Sequence, residues 1–155
     1  MTRPSDLKPR EDESPGTPPD AYAVGAPLPD MPFSLTPEIV EEYMTAVDAD
    51  PALYVVDGRQ AAPPNVLAVY LLAILYRGYP PTQGIILTDV SWRFRHPIWA
   101  DETTEVVGSG RVTERFERRG KHFIRWRGDF TRDDGVALAS AVNTMYVPAE
   151  RFEKR

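Results

Sequence analysis

The feature that most constrains this chain is a short apolar run, Val66 to Tyr76, eleven residues without a charge. At helical spacing such a segment has no face to give to water, so it must be buried on most of its surface. Pro63-Pro64 precedes it, Gly78 follows it and Pro80-Pro81 prevents its continuation. The sequence therefore predicts a helix over Asn65–Arg77, with Asn65 as its cap. Bilayer crossing takes roughly 20 apolar residues, so this run is core rather than membrane anchor. It needs a wrapper, and the rest of the chain has to supply one.

The wrapper reads as strands. Over Gly84–Arg95, Thr88, Val90, Trp92 and Phe94 alternate with Ser91, Arg93 and Arg95, and His96-Pro97 ends the strand. Thr103–Val112 is a second strand. Arg118-Arg119-Gly120-Lys121 is a turn, and His122–Thr131 alternates again with Ile124, Trp126 and Phe130 on one face. Asp133-Asp134-Gly135 is a hairpin turn into Val136–Val147. The small residues Ala137, Ala139 and Ala141 permit close packing there. A short strand at Met31–Leu35 completes the sheet. Between them, Thr36-Pro37-Glu38 opens a helix that carries Ile39, Val40, Tyr43, Met44 and Val47 inward and stops near Asp48. Residues 48–64 read as a loop. The expectation is an α+β domain over 31–150, a curved antiparallel sheet around one buried helix. Its open edges call for covering, so a dimer is expected.

Composition sets the outer limits. The first 30 residues hold seven of the 16 prolines and little to bury, so 1–30 is expected to be a disordered tail. No apolar segment follows Met1, which argues against a secretory signal and for a cytoplasmic protein. The chain has no cysteine and only two histidines, His96 and His122. That excludes a thiol nucleophile and a cysteine-ligated metal, and no metal or redox cofactor is expected. Net charge is −5, against general nucleic-acid binding. One stretch departs from this: residues 111–132 contain eight Lys or Arg against three Asp or Glu. Arg118 and Arg119 are candidates there for contacting phosphates.

Several pieces, in this order, resemble the MaoC-like acyl dehydratases and enoyl-thioester hydratases of the hotdog fold. They are Tyr43-Met-Thr-Ala-Val-Asp48-Ala-Asp50-Pro51, then Ala62-Pro63-Pro64 before the apolar run, then Phe94-Arg95-His96-Pro97-Ile98-Trp99-Ala100-Asp101-Glu102, then Arg118 to Lys121 with Asp134-Gly135-Val136. The resemblance covers roughly residues 33–148 and is nearest to the family's N-terminal, dehydratase-like branch. It implies reversible addition of water to a trans-2-enoyl thioester, with coenzyme A or a phosphopantetheine arm of a carrier protein as part of the substrate. It implies pairing with a second hotdog subunit, identical or not.

In active members the loop pattern is Asp-x-Asn-Pro-x-His. Here the Asp is Asp48, the Asn slot holds Asp50, and the His slot holds Leu53, followed by Tyr54. Leucine transfers no proton. The candidate catalytic residues are therefore Asp48, Asp50 and Tyr54. The candidate substrate-binding residues are Pro63, Asn65 and Val66 at the helix entry, where the amides of Asn65 and Val66 would face a thioester carbonyl. His96, ahead of a proline at a strand end, and His122, beside inward apolar residues, are expected to serve structure. The Leu53 substitution leaves open a non-catalytic half of a heterodimer, a binding protein for acyl thioesters, or a thioesterase.

Overall fold

The computed structural model describes residues 2–9 and 15–152. Its frame is a five-stranded antiparallel sheet in the order β1-β5-β6-β7-β4, made of β1 Met31–Leu35, β4 Ile86–Phe94, β5 Thr104–Arg118, β6 Lys121–Arg132 and β7 Ala137–Val147. A small hairpin, β2 Val55–Val56 with β3 Arg59–Gln60, stands apart. The helices are α1 Pro4–Leu7, α2 Pro37–Ala46 and α3 Ala68–Gly78. The expected sheet wrapped on one helix is present.

The apolar run behaves as its composition requires. Val66, Tyr70, Ala73, Ile74 and Leu75 are all fully buried. Its first turn is tighter than expected: Pro64–Leu67 is a 3-10 turn, and α3 proper begins at Ala68. The cause is Pro63, whose carbonyl accepts from the Val66 amide at 2.9 Å while Pro64 has no amide to give. The helix lies on β5 and β6 at two glycines. A Cβ on Gly128 would stand 2.8 Å from Leu71 Cδ1, and one on Gly108 2.9 Å from Ile74 Cδ1. Close approach of helix to sheet thus depends on the absence of side chains there.

An aromatic row crosses the inner side. Phe94 stacks on Trp92 at 5.3 Å, Trp92 on Phe130 at 6.0 Å, Phe130 meets Phe33 edge-on at 6.2 Å, and Phe33 stacks on Tyr70 at 4.2 Å. Because α3 sits over β5 and β6, it does not reach β4. The inner face of β4, expected to be core, is therefore uncovered: Val90 is 37% and Phe94 39% exposed, and Trp92 is half-buried.

The other edge is different. The segment expected to be disordered contributes a strap over residues 15–30. Gly25 donates to the Val112 carbonyl and Leu28 to the Gly110 carbonyl, both at 2.8 Å, and β1 continues the cover along β5. Tyr22 is fully buried and packs on Tyr79, with ring centroids 4.7 Å apart, and Leu28 is also buried. Burial pushes the Tyr22 hydroxyl up. Buried Thr17 adds to the anchorage: its amide donates to Thr82 Oγ1 and its hydroxyl to the Pro80 carbonyl, both at 2.8 Å. Nearer the start, Arg3 pairs with Glu42 at 2.7 Å, and the Tyr70 hydroxyl donates to the Thr2 carbonyl at 2.8 Å. Residues 1 and 10–14 of the expected tail lie outside the described residues.

Candidate functional site

The loop between α2 and α3 is where the fold and the candidate residues meet. After Ala46 the chain turns through Asp48, a non-glycine residue in the left-handed region at φ 51°. Asp50 then caps a 3-10 turn, Pro51–Tyr54, its Oδ1 accepting from the Ala52 amide at 3.0 Å. The β2–β3 hairpin follows, turned by Asp57-Gly58, both with positive φ as its type of turn requires.

This loop is fastened at three places. The Gln60 carboxamide Nε2 donates to the carbonyls of Pro51, Tyr54 and Ala61, each at 3.1 Å. Arg59 reaches Asp101 at 2.6 Å and Glu102 at 2.9 Å, and its guanidinium lies 4.6 Å over the Trp99 ring. The Arg59 hydrogen bond holds the Asp101 carboxyl below its usual range, and Asp101 and Glu102 raise Arg59 in turn. The Ala62 amide donates to the Ile98 carbonyl at 2.7 Å, which seats the chain entering α3 against the segment after β4.

Two cavities result. Gln60 lines one of about 550 Å³ with Glu41, Met44, Asp48 and Pro51. Its neighbour Ala61 lines the other, of about 300 Å³, with Leu53, Tyr54, Pro64, Leu67 and Phe94. Further walls of the second cavity are Arg95, His96, Pro97 and Leu138. This smaller, apolar cavity is the place where the loop, the front of the buried helix and the end of β4 converge.

The predicted site residues divide between these surroundings. Tyr54 and the Leu53 side chain, 75% exposed at the rim, belong to the smaller cavity. Asp48 belongs to the larger, because the left-handed turn carries it toward α2. Asp50 is engaged as a cap. Pro63 is buried and its carbonyl is engaged by the Val66 amide, so Val66 is not a donor for a ligand. Asn65 is exposed, and its carbonyl accepts from the Ala68 amide. Its own amide has no partner among the described residues, and it is the first N–H of the helix entry.

Arg118 and Arg119 stand at the tip of the β5–β6 hairpin. Phe94 pairs with Ala139 and His122 with Val147, so the tip and the cavity are separated by that length of β7, about 27 Å at ~3.4 Å per residue. A single chain therefore does not bring these arginines to the helix front. They form no ion pair among the described residues, and Lys121 beside them lies 5.6 Å over the Tyr146 ring.

His96, read from the sequence as structural, is tied down at the strand end: ring Nδ1 lies 2.8 Å from the Ala137 carbonyl oxygen. It also lines the smaller cavity. His122 lines a third cavity at the far end of the sheet, of about 520 Å³, with Arg115, Phe123 and Ile124. The anchoring roles of Gln60 and Arg59 were also missed, although Asp57-Gly58 was an available signal that residues 55–60 form a hairpin. Among the described residues no group of three or more metal-ligating side chains comes together, and no helix is long and apolar enough to cross a membrane.

No family model and no curated protein sequence matches this chain. Solved structures do. It is similar to the R-hydratase PhaJ1 of Pseudomonas aeruginosa, at 14% identity over 86% of each chain and a TM-score of 0.65. It is similar to the MaoC-like dehydratase of Rhodospirillum rubrum, at 17% identity, with 83% of this chain and 94% of that one covered and a TM-score of 0.67. It is also similar to a subunit of the 3R-hydroxyacyl-ACP dehydratase complex HadBC of Mycobacterium tuberculosis, at 20% identity over 80% and 96% of the chains and a TM-score of 0.64. The chain has the hotdog fold, in the form it takes in these MaoC-like hydratases and dehydratases.

Proposed function

We propose that this chain acts on acyl thioesters, adding water to a trans-2-enoyl thioester or removing it from a 3-hydroxyacyl thioester. The observation that carries the reading is the apolar cavity of about 300 Å³ at the entry of the buried helix. Its walls suit an acyl chain. The cavity lies beside the positive end of α3, where the Asn65 amide has no partner among the described residues and negative charge on a thioester oxygen would be stabilised. The solved structures of like fold that are named as hydratases or dehydratases point the same way. Coenzyme A or a phosphopantetheine arm would carry the acyl group.

The same reading includes a dimer through β4. Its exposed Ile86, Leu87, Val90 and Phe94 form an apolar edge that a second hotdog subunit would cover. The test is direct: incubate the purified chain with crotonyl and longer enoyl thioesters and follow loss of the conjugated absorbance. Turnover without release of free thiol is expected; thioester hydrolysis would also lower this absorbance but would release thiol, so a thiol reagent in parallel separates the two.

A second reading rests on Leu53. With leucine at the cavity rim in the slot where the resembled family places histidine, the chain would bind acyl thioesters without turning them over and complete a catalytic partner. Two of the solved structures are complexes named as pairs, HadBC and ChsH1-ChsH2 of Mycobacterium tuberculosis. Binding of a non-reactive acyl thioether with no turnover by the chain alone favours this reading.

A further inference from the structure

We infer that His96 is the proton-transfer residue of this site, supplying from the end of β4 the imidazole that the 48–54 loop lacks. The inference rests on the hydratase reading above and names the group that performs it.

Three observations converge on it. His96 lines the same cavity as Tyr54, Pro64 and Leu67, so it stands at the entry of the buried helix. Its ring has a defined tautomer, because Nδ1 lies 2.8 Å from the Ala137 carbonyl, an oxygen that can only accept. Nδ1 therefore carries a proton, and in the neutral ring it is Nε2 that holds the lone pair a general base needs. Its backbone is also held: the Arg95 and His96 amides both point to the Leu138 carbonyl, at 2.9 and 3.4 Å, and Pro97 follows. Just beyond the strand, this exposed side chain is thus oriented by a backbone carbonyl and its main chain is tied to β7, which positions it as a base.

The other candidates fit less well. Asp48 opens on the larger cavity and Asp50 is engaged as a cap. Tyr54 is in the right cavity, but a phenol is a weak proton acceptor. His122 is at the far end of the sheet.

The step balances with water as the only co-reactant. Nε2 takes a proton from water as the water oxygen bonds to C3 of the enoyl group. The C2=C3 electron pair moves toward the thioester oxygen, giving an enolate whose charge the positive end of the helix would stabilise. The imidazolium then returns its proton to C2. His96 is regenerated and the product is the 3-hydroxyacyl thioester.

The test uses the full chain and the variant His96→Asn. The Asn side-chain amide replaces Nδ1–H and keeps the bond to the Ala137 carbonyl, but it removes the basic nitrogen. Turnover of crotonyl-coenzyme A, binding of a non-reactive acyl thioether and thermal unfolding are measured for both proteins. The expected result is a fall in kcat of about 100-fold or more, with binding within about threefold and an unchanged melting midpoint. A kcat within about threefold of the wild type overturns the assignment while leaving the hydratase reading intact. Loss of binding and melting midpoint in step with kcat also overturns it, since it would make the ring only a tie. A wild-type chain that binds the thioether but never hydrates the enoyl thioester removes the hydratase reading, and this assignment with it.

Discussion

The two edges of the sheet are built on opposite plans. On one side the chain covers itself: β1 pairs with β5, the strap over 25–28 extends that cover to Val112, and Tyr22 and Leu28 pin it with buried side chains. On the other side β4 pairs only with β7 and presents Ile86, Leu87, Val90 and Phe94 to water. An exposed apolar strand edge is a template for association, and proteins usually blunt it with charge, proline or cover. Here one edge is covered, while the other, although it carries the exposed Asp89 and Arg93, leaves apolar side chains open beside the candidate cavity, to which Phe94 also belongs. The first edge is thus covered from within the chain, and the second is the one that the proposed dimer would cover.

Substitutions at the two edges should therefore act on different quantities. On the covered side, Tyr22→Ala removes a fully buried aromatic ring and should lower unfolding free energy by about 3 kcal/mol. Denaturant titration measures this, and the association state should not change. On the open side, Val90→Asp should leave the monomer's fold intact and weaken self-association by a few kcal/mol, about 100-fold or more in dissociation constant. Sedimentation equilibrium reads this, and a variant that associates as the wild type does would break the comparison.

A third substitution probes the layer between the edges. Trp126 and Asn143 are register partners on β6 and β7, and both are fully buried. The Trp126 Nε1 and both polar atoms of the Asn143 side chain have no hydrogen-bond partner among the described residues. Asn143→Leu should raise stability by about 1 kcal/mol, because it removes a polar group left unsatisfied. A loss of stability instead would mean that something polar meets Asn143 in solution, and Val90 on the open strand is its neighbour there.

The smallest effect belongs to the Arg59–Asp101 pair, which is exposed and screened. Its carboxyl titrates lower in the folded chain, so its contribution is present above the ordinary carboxylate range and is lost as pH falls below about 4. The melting midpoints of wild type and Asp101→Asn should differ slightly at neutral pH and converge in acid.

Much of the frame was legible because it rests on periodicity. The Val66–Tyr76 run, the alternation in β4 and β6, and the turns at Gly120 and Gly135 each carry a local signal. The end of β5 was not legible. Residues 113–118 are mostly polar and lack alternation, yet the strand runs to Arg118 because β6 pairs with it throughout. The strap was hidden for a similar reason, since Tyr22 and Leu28 matter only once the groove that receives them exists. In the candidate site, the order of motifs placed Leu53 and Tyr54 near the helix entry. The arrival of His96 and Leu138 depends on the pairing of Phe94 with Ala139, a contact between residues distant in sequence. Asp48 lines the other cavity, and no local sequence signal marks its left-handed backbone.

The aromatic row gives the open edge an optical signature. Of the three tryptophans, Trp126 is sealed inside, Trp99 lies under the Arg59 guanidinium, and Trp92 sits half in water, sandwiched between Phe94 and Phe130. Whatever comes to lie on β4 changes the solvent around Trp92 and leaves the environment of Trp126 as it was. The colour of the chain's intrinsic fluorescence is therefore a label-free gauge of whether that edge is occupied.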